Sequence, residues 1–527
     1  MKKIYILILS VIFFTGCKKD FLDRSSLTQL AEDNFWLNAA DAQLGVNGIY
    51  DVLQDRVLYS GNLNGPAGLP NYDGFTDNVY NGYKFEGPGF YVEGNISVAV
   101  QNFFRDFWAS NYRGVVRSNQ AIFNIGKMDA SKISEATRLN LLAQAHFLRA
   151  LFYFNVAVYY VNAPLITTPQ KLEEAFVPKN TQQEILNQVI LDLEYATANL
   201  PATVPAEQFG YATKGAAFGL LARVQLFNKK YPEAAAAAKS VMDLNRYDLS
   251  TPYTTIFTEA GENTKEIVFS VRFQEAAGFN TGETFASTFL GQPKVNCQPM
   301  PNLIREYYST TGQPVNIPNT APSATQKLNR DPRLTASVWF YGDVFAVMPN
   351  GQNATFTANS ASGLTGYGQR KYVHTKTSPL GTNAAGAQSQ DFYILRYADI
   401  LLMRAEALIE SDPTNPEIYS LINQVRARVS MPTVQAVEGA NLNQTQLTNV
   451  LRHERRVEMA FEGLRFFDLK RWGKVQEAYA RMIADRDLVP KLSAYNPTYN
   501  GLRSETFPIP TDELNRNKNI GGQNAPW

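Results

Sequence analysis

The chain has 527 residues, of which 45% are hydrophobic and 12% aromatic, which is enough to fold around a large core and too apolar for a disordered chain. Its formal charge of +1 supplies no concentrated cationic field, which argues against nucleic acid as a partner. With only two cysteines it has neither a disulfide framework nor CxxC chemistry, so its stability must come from packing.

Lys2 and Lys3 precede a short apolar run, Ile4 to Phe14. A membrane-spanning helix needs ~20 apolar residues, so this run reads as an export signal. It ends in Phe13-Phe14-Thr15-Gly16-Cys17, which resembles a bacterial lipobox. That resemblance implies lipid on the Cys17 sulfur, removal of residues 1–16 and acylation of the new amine. Residues 17–30 are then a lipidated tether, and several acyl chains, at ~0.8 kcal/mol per buried methylene, hold a body to a membrane face. Loss of residues 1–16 removes two lysines and no acid, turning +1 into −1.

Residues 31–527 read as a single domain. The segment 59–95 is dense in Gly, Asn and aromatics. Helical periodicity then dominates 97–160, where Leu141, Ala145, Leu148, Phe152 and Val156 mark one face. Thr181 and Glu184 have capping-box spacing and Pro201 stops the helix that follows. "TKGAAFGLLARVQLFNKKYPEAAAAAKSVMDLN", 213–245, reads as two helices with a turn at Lys229 to Pro232. Ala222, Ala234 and Tyr231 fall where tetratricopeptide repeats place small and aromatic residues. Residues 251–390 mix short β-like runs ("EIVFSVRF", "TASVWFYGDVFAV") with long polar loops, and loops this long in a compact domain usually carry function or are disordered. Residues 396–429 form a second hairpin, with Tyr397, Leu401, Ala405 and Leu408 on one face and a turn at Asp412 to Pro416. The expected fold is mainly α: a tetratricopeptide-like helical-hairpin scaffold (about 97–245 and 391–484) with a large irregular loop and short-strand layer (about 59–95 and 251–390).

Chemistry-bearing motifs are sparse. Of His146, His374 and His453, neither His146 nor His453 has a second histidine at i+4 to share a metal. There is no nucleophile elbow, phosphate loop or dinucleotide fingerprint. The expectation is no catalytic residue, no metal and no cofactor. In "LRHERRVEMAFEGLRFFDLKRWGK", 451–474, Arg455 and Glu458 are three apart, as are Glu462 and Arg465, so opposite charges can pair along a helix. Glu458 and Glu462 would repel, which calls for arginines nearby. Gly463 permits a bend between two helices. Trp36, Trp108, Trp339 and Trp472 read as core.

This closing motif resembles that of the SusD/RagB family, the surface nutrient-binding lipoproteins of Bacteroidota. "RYADILLMRAEAL" (396–408), "FWASNYRGVVRSNQAI" (107–122), "AQAHFLRALFYFNVAVYY" (143–160), the final "FPIPTDELNRNKNIGGQNAPW" and the lipobox with "CKKDFLD" resemble the family's other motifs, in order. The resemblance implies a non-catalytic protein, lipid-anchored at the outer-membrane surface. It would capture oligosaccharide and pass it to a SusC-like TonB-dependent transporter. A RagB-like peptide receptor is the alternative, and a surface glycoside hydrolase the second. The resemblance also places the ligand on irregular segments. The leading candidates are Tyr72, Asp73, Asp77, Tyr80, Tyr83, Phe90 and Tyr91, followed by Phe279, Phe285, Tyr307 and Tyr367.

Overall fold

The computed structural model describes residues 35–61, 68–84, 88–95, 98–274, 296–317, 323–347, 353–356, 363–373 and 389–527. The signal, the tether with Cys17, and the candidates Phe279 and Phe285 lie outside the described residues.

Local chemistry starts the helices where the sequence said it would. Thr181 accepts from the backbone of Glu184, whose carboxylate accepts from the Thr181 N–H at 2.7 Å, and the helix runs Gln182–Asn199 (α4). The same reciprocal cap opens Ala39–Leu53 (α1) with Asn38 and Asp41. Between these lie Val98–Gly126 (α2) and Glu135–Tyr160 (α3). The hairpin Lys214–Phe227 (α5) and Tyr231–Asp243 (α6) turns at Lys229, which adopts φ +58°. The later helices are Tyr397–Ser411 (α7), Glu417–Arg428 (α8), Gln444–Met459 (α9), Arg465–Arg471 (α10) and Val475–Leu488 (α11).

Each of α1 to α5 packs on the next, as do α5 and α6; α7, far along the chain, then packs on α6, and α8 and α9 pack on α7. One hairpin cannot bury its own apolar face, so stacking of this kind is what stabilises the repeats. Ala222 and Ala234 are buried at these close approaches. Helix α3 is buried from Leu141 to Tyr160 apart from His146. It has the length and hydropathy of a membrane span, but 94% of that stretch is buried inside the protein, so it is the central core helix.

The irregular layer contains four two-stranded antiparallel pairs among the described residues. Val79–Asn81 (β1) pairs with Cys297–Pro299 (β3), and Ile267–Val271 (β2) with Phe392–Arg396 (β8). Val338–Phe340 (β4) pairs with Tyr367–Gln369 (β7), and Val344–Val347 (β5) with Asn353–Thr355 (β6). The run 332–337 before β4 is a short helix rather than strand.

The C-terminus closes the scaffold. Phe507 lies 4.8 Å from Phe104 and 5.2 Å from Tyr159, ring to ring. The Asn524 amide donates to the carbonyls of Tyr160 and Asn162, each at 2.7 Å, which satisfies carbonyls at the end of α3. A second apolar cluster joins Tyr80, Val92 and Met300 of the irregular layer to Leu469, Tyr479 and Met482 of α10 and α11.

Candidate functional site

The leading candidate residues divide sharply. Tyr72 is fully buried, with its ring 5.1 Å from both Phe75 and Tyr159. Such edge-on pairs add ~0.5–1.5 kcal/mol each beyond area burial. Tyr91 is buried too and donates to the Thr506 carbonyl at 3.0 Å. Tyr80 packs edge-on against Tyr495 at 5.0 Å. Asp73 accepts from Asn78 Nδ2 at 3.0 Å and from the Phe461 N–H at 2.7 Å. Burial pushes its carboxyl up, and these two hydrogen bonds work against that shift. Asp77 pairs with Arg456 at 3.0 Å, Arg465 at 3.1 Å and Arg481 at 2.5 Å. Burial alone would raise its pKa, but the three guanidiniums hold it well below the usual carboxylate range.

These five side chains are therefore corrected from ligand contacts to core. All five are buried, and Asp77, one Asp73 oxygen and the Tyr91 hydroxyl are bound within the protein. Tyr307 and Tyr367 are buried as well; the Tyr367 hydroxyl donates to Gln326 at 3.2 Å. Tyr83 and Phe90 are the members left half-exposed. Tyr83 is held through its N–H on Asn296 Oδ1 at 2.9 Å, beside the Lys84–Glu93 pair at 2.6 Å. Phe90 sits in the short helix Pro88–Val92, above the aromatic core. Half-exposed aromatic rings such as Tyr83 and Phe90 are the kind of surface that meets the apolar face of a sugar.

The closing motif forms an ion-pair lattice, with partners other than those the spacing suggested. Arg455 pairs with Asp399 at 2.5 Å and Asp468 at 2.7 Å, not with Glu458. Arg465 pairs with Asp77, not with Glu462. The arginines that Glu458 and Glu462 require come from other elements. Arg396 reaches Glu458 at 2.6 Å and Glu462 at 2.7 Å. Arg333 reaches Glu454 at 2.6 Å and Glu458 at 2.9 Å, and Arg426 reaches Glu454 at 2.7 Å. Burial disfavours the ionised forms of Glu454 and Glu458, yet the surrounding guanidiniums hold both below the usual range. A general acid needs the opposite, a raised pKa and access to substrate. Lys371 completes the lattice at 2.8 Å from Glu462, and burial pushes it down to about 8. Gly463 supplies the bend at φ +73°, where a Cβ would stand 2.2 Å from the Leu69 carbonyl oxygen.

His146 and His453 also have structural partners, and His374 lies outside the described residues. His146 bonds Asp192 at 2.7 Å, and His453 bonds Glu306 at 3.1 Å and stacks on Tyr308. Among the described residues no three His, Cys, Asp or Glu side chains are grouped so as to hold a metal. Trp108 and Trp339 are buried; Trp36 and Trp472 are half-buried, and Trp472 donates to Glu406 at 2.7 Å.

Comparison with known proteins agrees with this architecture. The SusD family model matches residues 265–527, and a model described as starch-binding associating with outer membrane matches residues 20–226. SusD-like protein P2 of Formosa agariphila is 26% identical over 548 aligned positions covering 100% of both chains. SusD-like protein P25 of the same organism is 26% identical over 484, covering 88% of each. A SusD-like carbohydrate-binding protein from Bacteroides fragilis superposes with a TM-score of 0.78 at 26% identity, over 92% of this chain and 99% of that one. A laminarin-binding SusD-like protein shares the fold, with a TM-score of 0.70 at 23% identity over 93% and 100% of the two chains.

Proposed function

The chain belongs to the SusD family, and from that premise we propose that it captures oligosaccharide at the outer-membrane surface and passes it, uncut, to a SusC-like TonB-dependent transporter. Cys17 carries the lipid that holds it there, and residues 17–30 are the leash. The ligand rests on the irregular layer, with Tyr83 and Phe90 as aromatic contacts. The buried residues Tyr72, Asp73, Asp77, Tyr80 and Tyr91 fix that layer to the helical scaffold and set the position of those two rings.

The observation that carries this reading is the pairing of a family match with a carboxylate inventory. The match includes the closing motif, and the acids of that motif, which a hydrolase reading would need, are bound to buried arginines. A carbohydrate-binding relative with the same fold over almost its whole length supports the ligand class.

The test is retention of the mature protein on gels containing neutral polysaccharides, alongside titration with mixed peptides. Retardation by a polysaccharide, weakened in Tyr83→Ala and Phe90→Ala, is the expected result. Binding to peptides alone would transfer the chain to the peptide-receptor reading. Affinity purification from intact outer membrane should bring a transporter barrel with it, and labelling with a radioactive fatty acid should be lost in Cys17→Ser.

A further inference from the structure

Between α4 and α5 the chain crosses the outer side of β2. There Phe209, Gly210 and Tyr211 form a ridge shared by two cavities. One, of about 340 Å³, faces α1 and is lined by Asn47, Gln54, Glu207 and Gln208. The other, of about 210 Å³, faces β2 and is lined by Thr203, Arg246, Tyr247, Asn263 and Lys265. None of residues 72–95 lines either cavity.

The ridge is rigid. Gly210 has φ +105°, and a Cβ there would stand 2.5 Å from the Arg272 side chain, so only glycine fits without strain. The Arg272 guanidinium lies 5.2 Å from the centre of the Phe209 ring. It is anchored by Asp391 at 2.9 Å and Asn263 Oδ1 at 2.9 Å. The Tyr211 hydroxyl donates to Asn47 Oδ1 at 2.8 Å, and its ring meets Tyr50 edge-on at 5.2 Å. Two fixed aromatic rings bordered by amides suit the apolar faces and hydroxyls of a sugar.

Charge is divided between the lobes. The β2-side cavity has Arg246 and Lys265 in its lining and no carboxylate. Arg246 is exposed and makes no ion pair among the described residues. Among the described residues Lys265 has a single ion contact, at 3.4 Å with half-buried Asp248, a weak tie in water. The acids Asp51 and Glu207 line the other lobe, and Asp51 is paired with Arg117 at 2.8 Å.

We infer that this double cleft is a second binding site, apart from the Tyr83 and Phe90 face, for a short acidic saccharide. The sugar carboxylate lies in the β2-side lobe against Arg246 and Lys265. Its ring face meets the Phe209–Tyr211 ridge, and a neighbouring unit places its hydroxyls among the amides of Asn47, Gln54 and Gln208.

The test is calorimetric titration of the mature protein with digalacturonate and with its carboxyl-reduced counterpart. Saturable binding of digalacturonate that weakens as salt rises is expected. A tenfold or greater loss is expected for the reduced sugar, for Arg246→Ala and for Phe209→Ala, with no change in Tyr83→Ala. A thermal melt of each variant separates misfolding from lost contact, and Arg246→Ala, a surface change, carries the result if Phe209→Ala is unstable. The proposal is overturned if the wild type does not bind digalacturonate, if Arg246→Ala binds it as well as wild type, or if a glutamate-rich peptide binds the cleft more tightly. Retention on neutral polysaccharide, read with Tyr83→Ala, reports on the other face independently.

Discussion

Arg396 and Glu458 are 62 positions apart in the chain and meet at 2.6 Å, with 1% and 0% of their side chains exposed. Arg396 ends strand β8 of the irregular layer, and Glu458 lies in helix α9. Arg333 and Arg428 reach the same carboxylate from two other elements. The lattice therefore joins the two layers, and each charge depends on the others for its compensation. Removing one partner from a buried pair typically costs ~3–5 kcal/mol, because the charge left behind is uncompensated. Glu458→Ala should lower unfolding stability by about that much. The urea midpoint should fall with an unchanged slope, and a loss within ±0.5 kcal/mol, the range usual for surface changes, would contradict the account.

Tyr72 separates the core reading from the ligand reading. Its hydroxyl is buried without a hydrogen-bond partner among the described residues, and an unsatisfied buried polar group costs ~1–3 kcal/mol. Tyr72→Phe should thus leave stability unchanged or raise it, and should leave polysaccharide retention as it was. A weaker retention in a fully folded variant would return Tyr72 to the binding surface.

Gly463 is required by both conformation and space, with φ +73° and the Leu69 carbonyl in the path of any Cβ. Gly→Ala at a compatible site stabilises by ~0.4–1 kcal/mol, and at an incompatible one destabilises by more than that. Gly463→Ala should be destabilised by more than ~1 kcal/mol, whereas Gly48→Ala in α1, where an added Cβ would meet no described atom within 4 Å outside its own helix, should not. Thermal melts of the two variants make the comparison.

Glu262 and Asp391 share a buried corner beneath Arg272. Glu262 accepts from the Asp391 N–H at 2.8 Å. Burial, reinforced by the Asp391 charge, pushes Glu262 from 4.5 up to about 8; burial pushes Asp391 from 3.8 to about 6, against Arg272. A raised carboxyl favours the folded state while it is protonated. Its contribution is complete below the unfolded value and is lost as pH rises through the folded one. For Glu262 the window runs from 4.5 to about 8. Relative to Glu262→Gln, wild-type stability should decline across that window, and denaturant melts at several pH values will show the difference. A parallel pH profile in the two proteins would refute it.

The helices were legible because their information is local. Thr181 and Glu184 cap α4, and the small residues of 213–245 sit where α5 and α6 approach closely. The lattice was legible only in part. Three-residue spacing pairs charges on a solvated face, but the charged face of α9 is buried and meets strands and helices from remote sequence. The loop after residue 68 misled for a similar reason. Its Gly, Asn and Asp density looked like surface, yet Leu69–Phe75 is wholly buried. Buried backbone must find partners, and here the polar side chains help to supply them: Thr76 and Asn81 donate to the carbonyls of Asp73 and Gly74 at 2.7 and 2.6 Å. Polar residues interleaved with aromatics were the available signal. The cleft at Phe209 gave only a glycine between two aromatics, a pattern that says nothing until β2 and α1 are placed beside it.

Capture without cleavage is tested most directly by following the length of a bound oligosaccharide. The mature protein is incubated for a day with an oligosaccharide from the polysaccharide that retards it, and chain length is read by mass spectrometry. The account predicts saturable binding with every chain recovered at its original length. Shortened chains with new reducing ends, abolished by replacing one carboxylate, would contradict it.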